Sequence, residues 1–183
     1  MRRRSERQNL RDLRKGRREA FEATICEHYK SIYRFVAHLS GDASLAEDLT
    51  QETFVSAWAN ISGYKGRASL GTWLHKIAYN KFIDSGRMLD RRAALIAGLK
   101  KDGPDILEVS DPFYRLIKDE HSLLLYESMH RLDSAEYLVI VLHYVQGFSF
   151  RDMAIVLDES VGTVKWRTSQ ALKRLRAFLT GRI

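Results

Sequence analysis

Residues 149–179 read SFRDMAIVLDESVGTVKWRTSQALKRLRAFL. Ser149 and Ser160 each precede a run with helical periodicity and can act as N-caps. The first run extends from Phe150 to Leu157 and the second from Thr163 to Leu179. Between them lies the turn Asp158-Glu159-Ser160-Val161-Gly162. Two short helices across a tight turn, the second one basic, have the form of a helix-turn-helix. On the second helix Val164, Ala171, Leu172, Leu175 and Phe178 can face inward. Thr163, Lys165, Trp166, Arg167, Ser169, Gln170 and Lys173 are then left on the outside near its start. In such motifs the first residues of the second helix reach base edges in the major groove, and cations hold phosphates. Arg167 and Gln170 carry the donors and acceptors for bidentate base contacts, and the Trp166 ring suits thymine methyls or sugars. A helical hairpin with a basic surface is the other reading. No acid follows Glu159, and this favours DNA.

Outward from this stretch the pattern remains helical. Asp133 with Glu136 forms a capping box before the apolar run Leu138 to Tyr144, and Leu123, Leu124, Met129 and Leu132 precede it. Near the N-terminus, Phe21, Ile25, Ile32, Phe35, Val36 and Leu39 make a 3.6-residue stripe ending at Gly41. Ser44 with Glu47 reads as a capping box for a helix carrying Leu45, Leu49, Phe54, Val55 and Trp58. A glycine-containing loop, Ser62 to Ala68, follows. Ser69 then caps a helix with Leu70, Trp73, Leu74, Ile77, Ala78 and Phe82 on its apolar side. No alternating strand pattern of convincing length occurs. The expectation is an all-α protein of two small helical domains joined by a flexible linker. Its divisions are a basic extension (1–16), a first domain (17–87), a linker (88–118) with a short helix around Arg91 to Lys100, and a second domain (119–183).

Composition narrows the function. The chain has 183 residues, 45% hydrophobic and 29% charged, enough apolar material for a core. One cysteine, Cys26, rules out a disulfide framework, and the six scattered histidines form no metal or catalytic motif. Apolar runs such as Leu138 to Leu142 fall far short of the ~20 residues a bilayer span needs. No apolar core follows the charged N-terminus, so a secretion signal is not expected either. A cytoplasmic protein without enzyme activity or cofactor is expected. The net charge of +7 is split: residues 1–19 carry nine bases and three acids, and residues 161–183 carry six bases and no acid. Between them, Asp105 to Glu136 holds eight acids and three bases. Two basic ends around an acidic waist suit a polyanion met at separate places.

The stretches AEDLTQETFVSAW (Ala46 to Trp58) and TWLHKIAYNKFID (Thr72 to Asp84) resemble region 2 of bacterial sigma factors, with the spacing of the small extracytoplasmic-function (ECF) group. YVQGFSFRDMAIVLDESVGTVKWR (Tyr144 to Arg167) resembles region 4 of the same group. The resemblance implies an alternative sigma factor whose partners are core RNA polymerase, promoter DNA and an anti-sigma factor. It places polymerase binding on Asp48, Gln51, Glu52 and Val55, which share a helix face. Glu47 and Asp48 also suit a helix dipole.

It places −10 recognition on Tyr64, Lys65 and Arg67 of the loop and on Trp73, Lys76, Asn80 and Lys81 of the next helix. That mixture of rings and cations suits unpaired bases and their backbone. Trp73 fits core or stacking platform equally well. The resemblance places −35 recognition on Thr163, Lys165, Trp166, Arg167, Ser169, Gln170 and Lys173. Departures from the family pattern are Leu132-Asp133 in place of Leu-Pro, Trp166 in place of a small residue, and Ser169-Gln170-Ala171-Leu172 in place of part of a basic run. The 31-residue linker could span ~100 Å when extended, against ~34–36 Å for a turn of DNA. Its acidity is compatible with mimicry of nucleic acid in polymerase channels. The Arg-rich start reads as a solvated tail, the product of an upstream start codon or an extra phosphate contact. A regulator acting without polymerase and a sigma mimic that titrates an anti-sigma factor remain as rivals. The Asp48-Gln51-Glu52 face argues against the first, and the retained Asn80, Lys165 and Arg167 against the second.

Overall fold

The computed structural model describes residues 10–86 and 120–181. The expected linker and the short helix around residues 91–100 lie outside the described residues. Every regular element among the described residues is helical. The order is α1 (Arg18–Ser40), α2 (Ala43–Asn60), a 3₁₀ turn (Ile61–Gly63), α3 (Leu70–Asp84), α4 (Glu120–His130), α5 (Ser134–Ile140), a π-helical turn (Val141–Val145), α6 (Phe150–Leu157) and α7 (Val161–Thr180).

Local chemistry sets the helix ends. Gly41 closes α1 at φ 48°, a left-handed conformation that glycine adopts without Cβ strain, and its N–H reaches the Ala37 carbonyl oxygen at 2.7 Å. The cap of α2 differs from the Ser44-Glu47 box expected. Asp42 precedes it, and its Oδ1 accepts from the Ser44 and Leu45 N–H groups at 2.9 and 3.1 Å. The helix begins at Ala43, so Asp42 holds the cap position and Ser44 lies inside the first turn, where its own N–H is one of the capped donors. The other expected caps are present: Ser69 Oγ accepts from Thr72 N–H at 3.0 Å, Asp133 from Glu136 at 2.9 Å, Ser149 from Asp152 at 3.2 Å and Ser160 from Thr163 at 3.0 Å. Glu136 does not complete a box. Its carboxylate is buried and takes Arg174 at 2.8 Å, tying α5 to α7.

Helices α1, α2 and α3 pack pairwise around Ile32, Phe35, Val36, Phe54, Leu74 and Phe82. Burying each such side chain contributes ~1.5–3 kcal/mol. The second group packs α7 against α4, α5 and α6 around Leu132, Leu142, Met153, Val164, Ala171 and Leu175. Leu172, expected to face inward, is 41% exposed. It follows Ala171 by one residue, a 100° step around the helix, and only Ala171 points into the core.

The two groups touch along α3 and α6. Thr72 donates to Asp152 at 3.0 Å, Lys76 meets Asp158 at 3.2 Å, and Ser31 donates to Gln146 at 3.0 Å. The π-helical turn helps to place Gln146 and Phe148 there. The Gln146 N–H reaches back to the Val141 carbonyl, and the Phe148 N–H to that of Leu142, each at 3.0 Å.

His75 sits in this seam, 1% exposed, its ring 5.1 Å from Phe35 and 4.6 Å from Phe148. Its Nδ1–H donates to the Gly71 carbonyl at 2.8 Å, and Nε2 is then the nitrogen without a proton. Burial lowers its pKa from 6.5 to about 4, outweighing hydrogen bonds to Gly71 and Gln146 that favour the cation; the nearby His28 adds to the lowering. The unfolded chain therefore binds a proton below pH 6.5 that the folded chain refuses until about pH 4. The stability from this neutral ring is present above pH 6.5 and is lost as pH falls towards 4, by about 3 kcal/mol in all. Urea midpoints at pH 7 and pH 4.5 should therefore differ more for the wild type than for His75→Phe. Equal differences would remove His75 as the cause.

Candidate nucleic-acid and polymerase interface

On α2 one face is committed to the core and the other is free. Ala46, Leu49, Thr50, Thr53, Phe54 and Ala57 are buried. Asp48, Gln51, Glu52 and Val55 are exposed, Val55 to 70%. Helical spacing puts these four on one side. Trp58 continues the row, half exposed, with its ring 4.7 Å from Phe21. Glu52 also meets Lys81 of α3 at 3.4 Å, so the acidic face of α2 borders the cations of α3.

The loop between α2 and α3 is divided in its exposure. Lys65 and Arg67 are exposed and pair with no described residue. Tyr64 is buried at 7% exposure. Its hydroxyl donates to the Ala68 carbonyl, its ring lies 5.1 Å from Trp73, and burial raises its pKa against the opposing pull of Arg14. In this arrangement Tyr64 braces the loop and offers little ring to a base. The fixed Ala68 carbonyl and the apolar neighbours Leu13 and Ile61 explain its inward turn. Trp73 is half-buried, packed on both apolar clusters. Asn80 is exposed, whereas Lys76 is half-buried in its pair with Asp158.

On α7, Val164, Thr168, Ala171 and Leu175 face the core. Thr163, Lys165, Trp166, Ser169 and Lys173 are exposed, Trp166 to 63%, and Gln170 is half-buried. Lys165 Nζ lies 5.8 Å from the Phe150 ring centre. Arg167 is held back: its guanidinium meets Glu159 at 2.6 Å, leaving 19% of the side chain exposed. Tyr79 of α3 is half-buried close by. Burial and Glu159 raise its phenol pKa, and Arg167 opposes them.

The contacts that sequence reasoning missed are Asp152, Asp158 and Gln146 in the seam, and Glu159 on Arg167. The first three join residues 80 or more apart and carry no periodic signal. Glu159 was readable as the last acid of the chain. Asp158 is the one non-glycine described residue at positive φ, 58°, where a short polar side chain ends α6. No three described His, Cys, Asp or Glu side chains converge as metal ligands, and no described helix is long and apolar enough to cross a membrane.

Comparison with known proteins matches residues 25–92 to Sigma-70 region 2 and residues 122–175 to Sigma-70, region 4. The ECF RNA polymerase sigma factor SigW of Bacillus subtilis is 30% identical over 177 residues, 93% of this chain and 94% of its own. The ECF RNA polymerase sigma factor SigC of Mycobacterium tuberculosis is 33% identical over 163 residues, 89% of this chain and 85% of its own. Among solved structures, the sigma factor RpoE in complex with the anti-sigma factor NepR from Bartonella quintana aligns with a TM-score of 0.66 at 26% identity, over 87% of this chain and 96% of that one. CnrH, solved in complex with the cytosolic domain of CnrY, shares the fold with a TM-score of 0.70 at 22% identity, over 96% and 97% of the two chains.

Proposed function

Because the chain belongs to the ECF group of RNA polymerase sigma factors, we propose that Asp48, Gln51, Glu52 and Val55 seat it on core RNA polymerase. In this reading residues 17–87 dock on polymerase and hold the opened −10 element. Residues 119–183 bind the −35 duplex, and residues 88–118 connect the two.

The observation that carries the reading is the free face of α2. Its four residues stand clear of the core they are folded on, and an acid among them is fixed beside Lys81 of the next helix. A partner on α2 and a nucleic acid strand on α3 can then be held side by side. Lys65, Arg67, Lys81 and Asn80 supply cations and one base-reading amide, and Trp73 supplies an apolar wall. Tyr64 serves as the brace under that loop. On α7 the exposed Thr163, Lys165, Trp166, Ser169 and Lys173 meet the duplex, joined by Gln170 and by Arg167 once it leaves Glu159. The task asks for no bond-making residue and no cofactor. It is carried out where core polymerase works, in the cytoplasm. A partner that holds the chain inactive, of the anti-sigma kind bound to RpoE in the solved complex, completes the proposal.

Run-off transcription from a genomic fragment library with core polymerase tests this. Discrete transcripts that require the chain are expected. Binding to core without transcripts would support the mimic, and binding to duplex DNA alone would support the regulator without polymerase.

A further inference from the structure

The basic segment before α1 is built into the fold. Residues 10–14 are helical, and the chain reverses at Gly16, whose φ of 68° and N–H to the Leu13 carbonyl at 2.9 Å form the turn. Leu13 is fully buried. With Ile61 and Tyr64 it makes a second apolar cluster, against which Leu10, Phe21, Leu70 and Trp73 pack. Arg14 donates from its guanidinium to the Tyr64 carbonyl oxygen. One leucine and one arginine therefore fasten this segment to the underside of the loop that carries Lys65 and Arg67. The match to Sigma-70 region 2 begins only at residue 25.

That anchoring decides where the segment's charges stand. Arg11 and Lys15 are exposed and form no ion pair with a described residue. They lie within one helical turn of Arg14, which is bonded to the residue next to Lys65. The acid between them, Asp12, is engaged by Arg17 at 3.4 Å. Arg11 and Lys15 thus stand within a turn of the contact that fastens Arg14 to the loop of Lys65 and Arg67, and the one acid among the described residues of the segment, Asp12, is engaged.

We propose that Arg11 and Lys15 form an additional phosphate-binding site, which grips the sugar-phosphate backbone of the promoter strand held at the loop. The inference rests on the sigma reading above. A nucleic acid backbone fits better than a polymerase contact. The surface that receives the acidic face of α2 must be complementary to it, and cations at its border would meet like charge. The loop beside the patch already offers the cations and the tryptophan wall suited to an unpaired strand.

The test uses holoenzyme, reconstituted from core polymerase and the full chain, on a fluorescent promoter fragment with a preformed bubble across the −10 element. Affinity is measured over a range of salt concentrations for the wild type, for the double variant Arg11→Gln/Lys15→Gln and for the charge-preserving Arg11→Lys/Lys15→Arg. The Gln variant should bind several-fold more weakly and lower the slope of log affinity against log salt by ~1.4, two contacts at ~0.7 each on a single strand. The charge-preserving variant should keep the wild-type slope. A wild-type slope in the Gln variant overturns the site and leaves the sigma reading intact. Loss of affinity for core polymerase in that variant also overturns it, by making the patch a protein contact. If wild-type holoenzyme fails to bind the bubble, the sigma reading fails and the site with it.

Discussion

Exchanging Glu52 for lysine should remove chain-dependent transcription, by ~100-fold or more, while leaving the fold standing. The two halves of that expectation have separate causes. Glu52 is on the free face of α2, and its ion pair with Lys81, at 3.4 Å, leaves 57% of its own side chain and 35% of the lysine's exposed to solvent. Such pairs are worth ~0–1 kcal/mol, so the melting temperature should shift only slightly, even with Lys81 as a new like-charged neighbour. At the polymerase surface the same change reverses a charge, and like charges placed together across an interface cost several kcal/mol. The separation is checked by measuring core binding and thermal unfolding on the same preparation. Lys81→Ala serves as the control, because it breaks the same pair and leaves the acidic face intact. It should keep core affinity. If Glu52→Lys binds core as tightly as the wild type, α2 is not the docking face.

The second large effect belongs to Arg167. Replacement by alanine should weaken binding to the −35 duplex by ~10–100-fold, the worth of a lost bidentate base contact. Binding to core should not change. The Glu159 pair adds a second, opposite expectation. Arg167 is mostly covered, with its guanidinium 2.6 Å from Glu159 and Tyr79 of α3 close by. It must leave that position to reach a base. Glu159→Gln keeps the size of the side chain, weakens its hold on the guanidinium and removes a negative charge from beside the DNA. It should tighten duplex binding a few-fold. Weaker binding in Glu159→Gln would instead make Glu159 the group that aims Arg167. Electrophoretic shifts with a recovered promoter, at one fixed salt concentration, distinguish these outcomes.

How much of this was readable in the sequence depended on distance along the chain. Ser69, Asp133, Ser149 and Ser160 were readable as caps because a cap and its donor stand three residues apart. Ser44 misled because the helix starts before it: Asp42 is the cap, and Ser44 lies in the first turn with its own N–H bonded to the Asp42 carboxylate. Leu172 misled because an apolar residue next to a true core position looks equally inward. The free face of α2 was readable, since Asp48, Gln51, Glu52 and Val55 fall between buried positions at helical spacing. Tyr64 was not. A tyrosine in a glycine-containing loop reads as exposed, and only the tertiary pocket of Leu13 and Ile61 turns it inward. Leu13 pairs only with Leu10 at helical spacing, too short a pattern to read in a run of arginines. The seam between the two helix groups, joined by Thr72 with Asp152 and Lys76 with Asp158, was beyond any local rule.

The central claim is that one chain gives polymerase two promoter elements, a duplex read by α7 and an opened strand held at the loop and α3. Footprinting of one recovered promoter with reconstituted holoenzyme tests it most directly. Nuclease protection reports the duplex element, and permanganate reactivity of thymines reports the opened one. The account predicts both on the same molecule. Arg167→Ala should reduce occupancy of the whole promoter, with protection of the upstream element lost first. Upstream protection without any reactive thymine, in the presence of core polymerase, would contradict the account and leave a duplex-binding regulator in its place.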